Sequence, residues 1–269
     1  MEVKAKKSLG QNFLADATVI ERILATAEIS PEDRIFEIGP GTGRLTDALN
    51  GRAKKIVAME LDHQLVERLT KHFEASEGVS ILEGNILDVN LNEMLGTAEF
   101  ESGKYKVVAN IPYYITAPII RTLLSLETVP KSLTLMVQKE VAERITAKPG
   151  DMSLLSIMVQ YYSDARIAFT VPKTAFDPVP KVDSAVVHLI PKRHYDAEED
   201  RKLFRVARAG FAARRKTLAN NLASSLHLEK SAVLSILEEC RLLTDIRAQA
   251  LSLSDWMRVQ EKLSVERHT

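Results

Sequence analysis

The sequence predicts an α/β fold: a mostly parallel seven-stranded sheet with an antiparallel edge hairpin, followed by a small all-α domain. Five apolar runs typical of buried strands alternate with helical patterns over residues 34–146, which indicates a parallel sheet with helices on both faces. Two β-rich runs, 166–171 and 184–190, suit an antiparallel pair. Only helical patterns follow, so we expect one domain over 1–191 and a helical domain over 192–269.

Composition and charge exclude several classes of protein. The 36 basic and 36 acidic side chains give no net charge, so any nucleic-acid site must be a local patch. The single cysteine, Cys240, excludes an intramolecular disulfide, and the histidines lack the spacing of metal ligands, so we expect no metal. No apolar stretch suits a signal peptide or a membrane span. We therefore expect a cytoplasmic protein.

Strand and helix patterns follow each other regularly along the chain. The parallel strands are predicted at 34–38, 56–60, 79–82, 105–109 and 133–137. Asp16, Asp62 and Thr116 mark helix starts, because residues of these types favour the first positions of a helix. Further helices are predicted at 139–146, from Leu154 to Tyr161, and at 198–211, 214–226, 230–239 and 254–264.

A glycine-rich loop, Glu37-Ile38-Gly39-Pro40-Gly41-Thr42-Gly43, lies between the first strand and a helix. Glycine permits a tight turn and a close approach of the backbone to a ligand. The G-x-G-x-G spacing and the Glu37 carboxylate disfavour a pyrophosphate and favour a ligand with positive charge. Glu60, which ends the second strand, suits the two hydroxyls of a ribose. S-adenosylmethionine fits these features because it combines a ribose and an adenine with a cationic sulfonium.

Polar side chains also follow the third and fourth strands. Asn85 lies where an amide can meet an adenine ring, with Asp88 as a weaker candidate, and either residue also suits an ordinary turn. Asn110-Ile111-Pro112-Tyr113 brings an amide, a rigid turn and an aromatic ring to the carboxyl edge of the sheet, where open α/β sheets bind ligands. Taken alone, this tetrapeptide is more typical of a plain strand-to-helix loop.

Five motifs occur in order along nearly the whole chain. They are residues 7–14 (KSLGQNFL), the glycine loop, Asn110–Tyr113, residues 176–184 (FDPVPKVDS) and residues 214–221 (RRKTLANN). Together they resemble the ribosomal RNA adenine dimethyltransferases. The glycine loop is general among methyltransferases, and Asn-Ile-Pro-Tyr is shared with other adenine-N6 methyltransferases. The first and last motifs resemble the bacterial small-subunit enzymes more than the erythromycin-resistance enzymes, which modify large-subunit RNA.

The resemblance implies a Rossmann-like class I methyltransferase that uses S-adenosylmethionine. Its substrate would be N6 of two adjacent adenines in the 3′-terminal hairpin of small-subunit rRNA, and its partner that rRNA or the immature small subunit. We expect a monomer without an obligate protein partner. The implied cofactor contacts, to which we add the loop glycine Gly41, are Asn12, Leu14, Gly39, Glu60, Asn85 and Asn110.

Two departures from the family pattern affect these expectations. Family members usually carry Asp where this chain has Asn85. An amide still offers a carbonyl oxygen to the adenine amine, so we expect weakened rather than lost cofactor binding. The segment 149–154 is also shorter than the family pattern, at a position expected to border the RNA-facing cleft.

The chemistry of methyl transfer assigns roles to the tetrapeptide. The N6 lone pair of adenine is delocalised into the ring, so transfer needs acceptors that favour a tetrahedral nitrogen. We expect the side-chain oxygen of Asn110 and the backbone carbonyl of Ile111 to accept the two N6 hydrogens, with Pro112 fixing the turn. A base extruded from its helix would stack on Tyr113, and the resemblance places the ring of Phe176 on its other face.

A basic run marks the start of the helical domain. Residues 201–216 include seven basic side chains and no acidic one. The predicted phosphate contacts are Arg201, Arg205, Arg208, Arg214, Arg215 and Lys216, together with Lys181 in the preceding domain. The plain alternative is a solvated helix face.

Two further functions stay open on the sequence alone. A large-subunit rRNA or DNA adenine-N6 methyltransferase would need the same type of cavity. A non-catalytic rRNA-binding assembly factor would use the same fold with weak or no transfer, although the intact Asn110–Tyr113 motif and Phe176 argue against an inert site.

Overall fold

The structure, a computed structural model, describes residue 6, residues 11–192 and residues 196–265. Residues 7–10, which open the N-terminal motif, therefore lie outside the described residues. Nine strands, β1 to β9, occur in the described part of the chain: β1 Phe13–Leu14, β2 Arg34–Ile38, β3 Lys55–Glu60, β4 Val79–Glu83, β5 Tyr105–Asn110, β6 Ser132–Gln138, β7 Ser163–Val171, β8 Phe176–Asp177 and β9 Ser184–Pro191.

Eleven α-helices occur in the same described ranges, besides short 3-10 turns. They are α1 Ala17–Thr26, α2 Arg44–Leu49, α3 His63–His72, α4 Leu91–Thr97, α5 Thr116–Leu124, α6 Lys139–Ile145, α7 Leu154–Tyr162, α8 Ala197–Gly210, α9 Leu218–Leu226, α10 Lys230–Glu239 and α11 Leu253–Val265. No helix of these ranges is long and apolar enough to cross a membrane.

Seven strands form one sheet in the order β4-β3-β2-β5-β6-β9-β7. The pairs from β4 to β6 are parallel, and β9 runs antiparallel to both β6 and β7. The predicted mostly parallel sheet with an antiparallel edge hairpin is confirmed. Strands β3 and β5 flank β2 on opposite sides, so the strand order reverses there. The crevice outside the carboxyl ends of β2 and β5 is where such sheets bind ligands.

The predicted parallel strands agree with β2 to β6 within one residue at each end. The side chain of Asp16 caps α1 by accepting from the backbone N–H groups of Thr18 and Val19, and Asp62 caps α3 through Gln64. Thr116 begins α5 but does not cap it, because its hydroxyl donates back to the carbonyls of the preceding turn. The last motif's helix begins at Leu218 rather than at 214.

A second, two-stranded sheet pairs β1 with β8 and was not predicted. Leu14 lies opposite Phe176, and the N–H of Ala15 donates to the carbonyl of Ala175 at 2.8 Å. Both paired side chains are buried in the core beside α1. This pairing fixes the segment that carries Asn12 and Leu14 against the segment that carries Phe176.

The described residues divide into two compact units. The first consists of the described parts of 1–143 and 163–194, and the second of those of 144–162 and 195–269. The predicted border after residue 191 lies close to the point after residue 194 where the chain passes from the first unit to the second. The sequence, however, placed 144–162 in the first domain. In the structure that segment belongs to the second unit, where the rings of Tyr161 and Tyr162 pack on Phe204, at centroid distances of 5.6 and 6.0 Å.

Candidate active site

The glycine loop turns sharply at the end of β2 because its glycines have positive φ. The values are 65° at Gly39, 60° at Gly41 and 87° at Gly43, a region that L side chains rarely adopt. A Cβ on Gly41 would lie 3.0 Å from Cδ1 of Phe13, and a Cβ on Gly43 would lie 2.6 Å from Cδ2 of Leu69. Glycine at these two positions therefore lets the loop approach both β1 and α3.

Glu60, at the end of β3, is fixed by three backbone donors. Its Oε2 accepts from the N–H of Gly41 at 3.0 Å, and its Oε1 accepts from Leu61 and Asp62 at 2.9 Å each. Burial raises the pKa of Glu60, whereas these hydrogen bonds oppose the rise. These three bonds hold the carboxylate at the cavity wall, and none of them comes from a charged side chain. The carboxylate is therefore suited to accept hydrogen bonds from two vicinal hydroxyls.

Glu37 is the more deeply buried carboxyl of the site, with 1% of its surface exposed. Burial raises its pKa to about 8, although the Thr46 hydroxyl donates to its Oε2 at 2.7 Å and favours the ionised form. The negative charge of Glu60 adds to the rise. A cation bound in the cavity would favour the ionised form of Glu37.

Asn110 ends β5 and connects it to the N-terminal segment. Its Nδ2 donates to the backbone carbonyl of Asn12 at 3.2 Å. An amide that donates through its nitrogen presents its oxygen as an acceptor. The turn behind it is held by Ile111, whose N–H donates to the Met136 carbonyl at 3.1 Å, and by the Pro112 carbonyl, which accepts from Ile115 at 3.2 Å.

These elements converge on one cavity at the carboxyl edge of the sheet. All the predicted cofactor contacts line it, and so does the tetrapeptide; the lining includes Asn12, Leu14, Gly39, Gly41, Glu60, Asn85, Asn110, Ile111, Pro112 and Tyr113. Sequence reasoning missed Leu61 and Ile86 as apolar lining residues. Leu61 directly follows Glu60 at the end of β3, and Ile86 directly follows Asn85 in the loop after β4; this adjacency to a predicted contact was the available signal.

Phe176 does not line this cavity. Its side chain is only 2% exposed and belongs to the hydrophobic core with Leu14, Ile20 and Val171. The expectation of an aromatic face open toward a base is therefore wrong for this structure. The β1–β8 pairing sets Phe176 opposite Leu14, and both residues belong to the core cluster, but only Leu14 also lines the cavity.

Asn85 lines the cavity while also holding its own turn. Its Oδ1 accepts from the N–H of Leu87 at 3.1 Å, and its Nδ2 donates to Asp88 at 2.7 Å. The carbonyl oxygen expected at the adenine is thus engaged once and has one lone pair left. Asp88, the weaker candidate, contacts Asn85 and does not line the cavity.

Residues 2–263 match the family model described as ribosomal RNA adenine dimethylase. The chain belongs to the ribosomal RNA adenine dimethylase family. It is 40% identical over 259 residues to a ribosomal RNA small subunit methyltransferase A from Dehalococcoides mccartyi strain CBDB1, covering 96% of this chain and 88% of the relative. The predicted resemblance is confirmed.

Solved structures agree with this membership. A dimethyladenosine transferase from Plasmodium falciparum is 26% identical, with a TM-score of 0.78 over 95% of this chain and 98% of the other. The 23S rRNA methyltransferase ErmE is 25% identical, with a TM-score of 0.74 over 94% of this chain and 100% of the other. The fold is thus the Rossmann-like methyltransferase fold, and the dimethylase is an S-adenosylmethionine-dependent enzyme.

The cavity is lined by groups that suit the parts of S-adenosylmethionine. Two vicinal hydroxyls suit the Glu60 carboxylate, an adenine ring suits the amide of Asn85 and the apolar side chain of Ile86, and a sulfonium suits Glu37. Two carboxyls at the glycine loop disfavour a pyrophosphate. Within the described residues, no three His, Cys, Asp or Glu side chains cluster as a metal site would require.

The second unit of the dimethylase carries the predicted basic surface. Arg201, Arg205 and Arg208 are exposed on α8, while Leu203 and Val206 of the same helix are buried. In the described ranges, no ion pair with a carboxylate involves these arginines. Their exposure and lack of such pairing suit phosphate binding.

The turn that carries Arg214, Arg215 and Lys216 is closed by a buried amide. Nδ2 of Asn221 donates to the carbonyls of Gly210 and Ala213, at 2.7 and 3.0 Å. The three basic side chains are exposed. Asn221 of the last motif therefore has a structural role: it holds this basic turn between α8 and α9.

Lys181 lies elsewhere, in the loop between β8 and β9. It is exposed and lines a groove with two other lysines, Lys139 and Lys173. Glu140, Glu143 and Asp183 line the same groove, so its charges are balanced. A phosphate contact through Lys181 stays a prediction.

Proposed function

We propose that this chain transfers methyl groups from S-adenosylmethionine to N6 of two adjacent adenines in the 3′-terminal hairpin of small-subunit rRNA. It would act as a monomer in the cytoplasm during small-subunit biogenesis. The observation that carries the proposal is one cavity that combines the cofactor-type glycine loop and Glu60 with the Asn110–Tyr113 turn. The relative named as a small-subunit enzyme is 40% identical, whereas the 23S enzyme is 25% identical, which favours the small subunit.

Asn110 and Ile111 would orient the attacking amine. The Asn110 Oδ1 and the Ile111 carbonyl oxygen accept the two N6 hydrogens, which favours a tetrahedral nitrogen with its lone pair directed outward. The bound cofactor supplies a transferable methyl group on a cationic sulfonium. The N6 proton becomes acidic once the nitrogen is alkylated, so the site needs no strongly basic side chain. The remaining contribution is correct positioning of the two reacting groups.

Tyr113 would hold the extruded base. Tyr113 lines the cavity, as Asn110 does, and stacking of a base on an aromatic ring contributes on the order of 1–3 kcal/mol. Phe176 supports the site from the core, beneath the segment that carries Leu14. The basic side chains of α8 and of the turn before α9 would contact rRNA phosphates, and they supply the affinity for the ribosomal substrate.

A substrate-partition experiment tests this function. The full chain is incubated with labelled S-adenosylmethionine and unmethylated small subunits, large subunits, naked rRNA or DNA. We expect dimethyladenosine only in small-subunit RNA, at two adjacent positions. Label in large subunits or DNA instead would support the alternative methyltransferase functions. Tight binding of small-subunit rRNA without transfer would support a non-catalytic assembly factor.

A further inference from the structure

Tyr113 is held at its far end by a residue of a different strand. Its hydroxyl lies 2.6 Å from Oγ of Ser184. Tyr113 is half-buried and lines the cavity, and its hydroxyl end is anchored in protein. A ring held at both its backbone and its hydroxyl has little freedom to rotate or tilt.

Ser184 is a rigid anchor because of its place in the sheet. It is the first residue of β9, has no exposed surface, and pairs with Gln138 of β6 on one side and Val171 of β7 on the other. Its neighbour Asp183 is held just before the strand. The Asp183 backbone carbonyl accepts from the backbone N–H of Lys139, and its carboxylate accepts from the backbone N–H of Lys173, both at 3.0 Å. The antiparallel hairpin thus delivers one fixed hydroxyl to the catalytic turn.

We propose that Ser184 is a positioning residue that holds the Tyr113 ring at the angle required to stack on the target adenine. The proposal rests on the base-stacking role of Tyr113 in the proposed function. It gives β9, a strand of the antiparallel edge hairpin, a positioning role in the proposed reaction. Without the hydrogen bond, the ring keeps its apolar surface but loses its fixed tilt, so fewer bound adenines reach the reactive geometry.

A double-mutant cycle between Ser184→Ala and Tyr113→Phe tests the proposal, because each variant deletes the same hydrogen bond from a different side. Single-turnover methylation at saturating rRNA should slow roughly five- to tenfold in each single variant, the order expected for one lost hydrogen bond. The double variant should be no slower than either single variant. Dissociation constants for S-adenosylmethionine should stay within about twofold of the parent. The conservative variant Ser184→Thr should restore most of the rate.

A spectroscopic measurement and a matched control separate positioning from general stability. A 2-aminopurine at the target position should be less quenched in Ser184→Ala and Tyr113→Phe than in the parent, because stacking on the ring is weakened. Thr134→Val removes another buried hydroxyl bond of the same sheet, from Thr134 to His188 at 3.0 Å. It should lower the unfolding midpoint without lowering the single-turnover rate.

Two results would overturn the proposal. One is a parental rate and quenching in Ser184→Ala; the other is a double variant whose loss equals the product of the two single losses. Either result would leave the proposed function intact, because the parent would still methylate small-subunit rRNA. Absence of transfer by the parent would instead contradict the proposed function itself.

Discussion

The Asn110 carboxamide has a donor end and an acceptor end, which serve different partners. The donor end is used by the protein, since Nδ2 binds the Asn12 carbonyl in the segment that lines the cofactor side of the cavity. Under the proposed function, the acceptor end would bind the substrate amine. An aspartate could accept at both oxygens, but it would have no donor for Asn12 when ionised. Under the proposed function, asparagine at this position would therefore connect cofactor binding to base orientation.

Replacing Asn110 with Ala should separate transfer from cofactor binding. We expect the single-turnover rate to fall by about 10²–10³-fold, as for the loss of one oriented group that stabilises the transition state. The dissociation constant of S-adenosylmethionine should rise less than about tenfold, because only one hydrogen bond to the Asn12 segment is lost. Rapid-quench assays and calorimetric titration measure the two quantities.

The control for this prediction is Asn92→Ala. Asn92 accepts from the N–H groups of Glu127 and Thr128 and does not line the cavity. Its rate and cofactor affinity should match the parent. An equal fall in rate and cofactor affinity for Asn110→Ala would show that Asn110 only shapes the cofactor site.

The buried carboxyl of Glu37 should release a proton when a cationic cofactor binds. The pKa of Glu37 is raised by burial to about 8, so the carboxyl holds a proton at neutral pH in the free protein. A sulfonium in the cavity favours the carboxylate and lowers this pKa. Binding at pH 7 should therefore release up to one proton, and affinity should rise with pH up to about 8 and level off above it. Calorimetry in buffers of different ionisation enthalpy measures the proton count.

S-adenosylhomocysteine is the matched control ligand, because its sulfur is neutral. It should bind with little proton release and a flat pH dependence across the same range. In Glu37→Gln, the proton release on binding S-adenosylmethionine should vanish. Equal proton counts for the two ligands would refute the coupling between Glu37 and the sulfonium.

At the scale of elements, the β1–β8 sheet joins two parts of the site that are far apart in sequence. β1 carries Leu14, which lines the cavity, and β8 carries Phe176 in the core beneath it. Because Phe176 is buried, its removal should act on stability first. We expect Phe176→Ala to lower the free energy of unfolding by about 3–5 kcal/mol, the usual cost of emptying a buried aromatic site. Denaturant unfolding followed by circular dichroism measures this.

Phe176→Leu distinguishes a core role from a stacking role. It keeps most of the buried apolar volume, so its destabilisation should stay near 1.5 kcal/mol or below. Folded Phe176→Leu should then retain most of the methylation rate. A rate loss of tenfold or more in the folded variant would show that the ring leaves the core and meets the base.

The elements that could be predicted are those marked by a pattern within a short stretch of sequence. Strands β2 to β6 carry apolar runs that end in polar or glycine residues, and this pattern located them within one residue. β1 and β8 have two residues each, too few for any periodicity, so their pairing could not be predicted. Phe176 lies in β8, and the burial of its ring was not apparent from the resemblance that placed it against the base.

At the scale of the whole molecule, the same limit appears in the division into units. The helix α7 lies before β7 in the chain, and sequence order assigned it to the first domain. Its contacts within the second unit, such as those of Tyr161 and Tyr162 with Phe204, join residues distant in sequence. The residues predicted as cofactor contacts all line one cavity, because most of them follow strand ends or belong to one short loop; their contact with the cofactor stays a prediction.

Because the chain has no net charge, any attraction to RNA phosphates must come from a local basic surface such as that of the second unit. The salt dependence of rRNA binding tests whether this surface contacts the phosphates. Each lost phosphate contact should reduce the slope of log affinity against log salt concentration by roughly one. Arg214→Ala with Arg215→Ala should therefore lower the slope by roughly two in rRNA filter-binding titrations. Lys202→Ala is the control: Lys202 pairs with Glu198 and Glu199 at 2.9 Å each, so its loss should barely change the slope. Equal slopes for the parent and the double arginine variant would mean that this turn does not touch the RNA backbone.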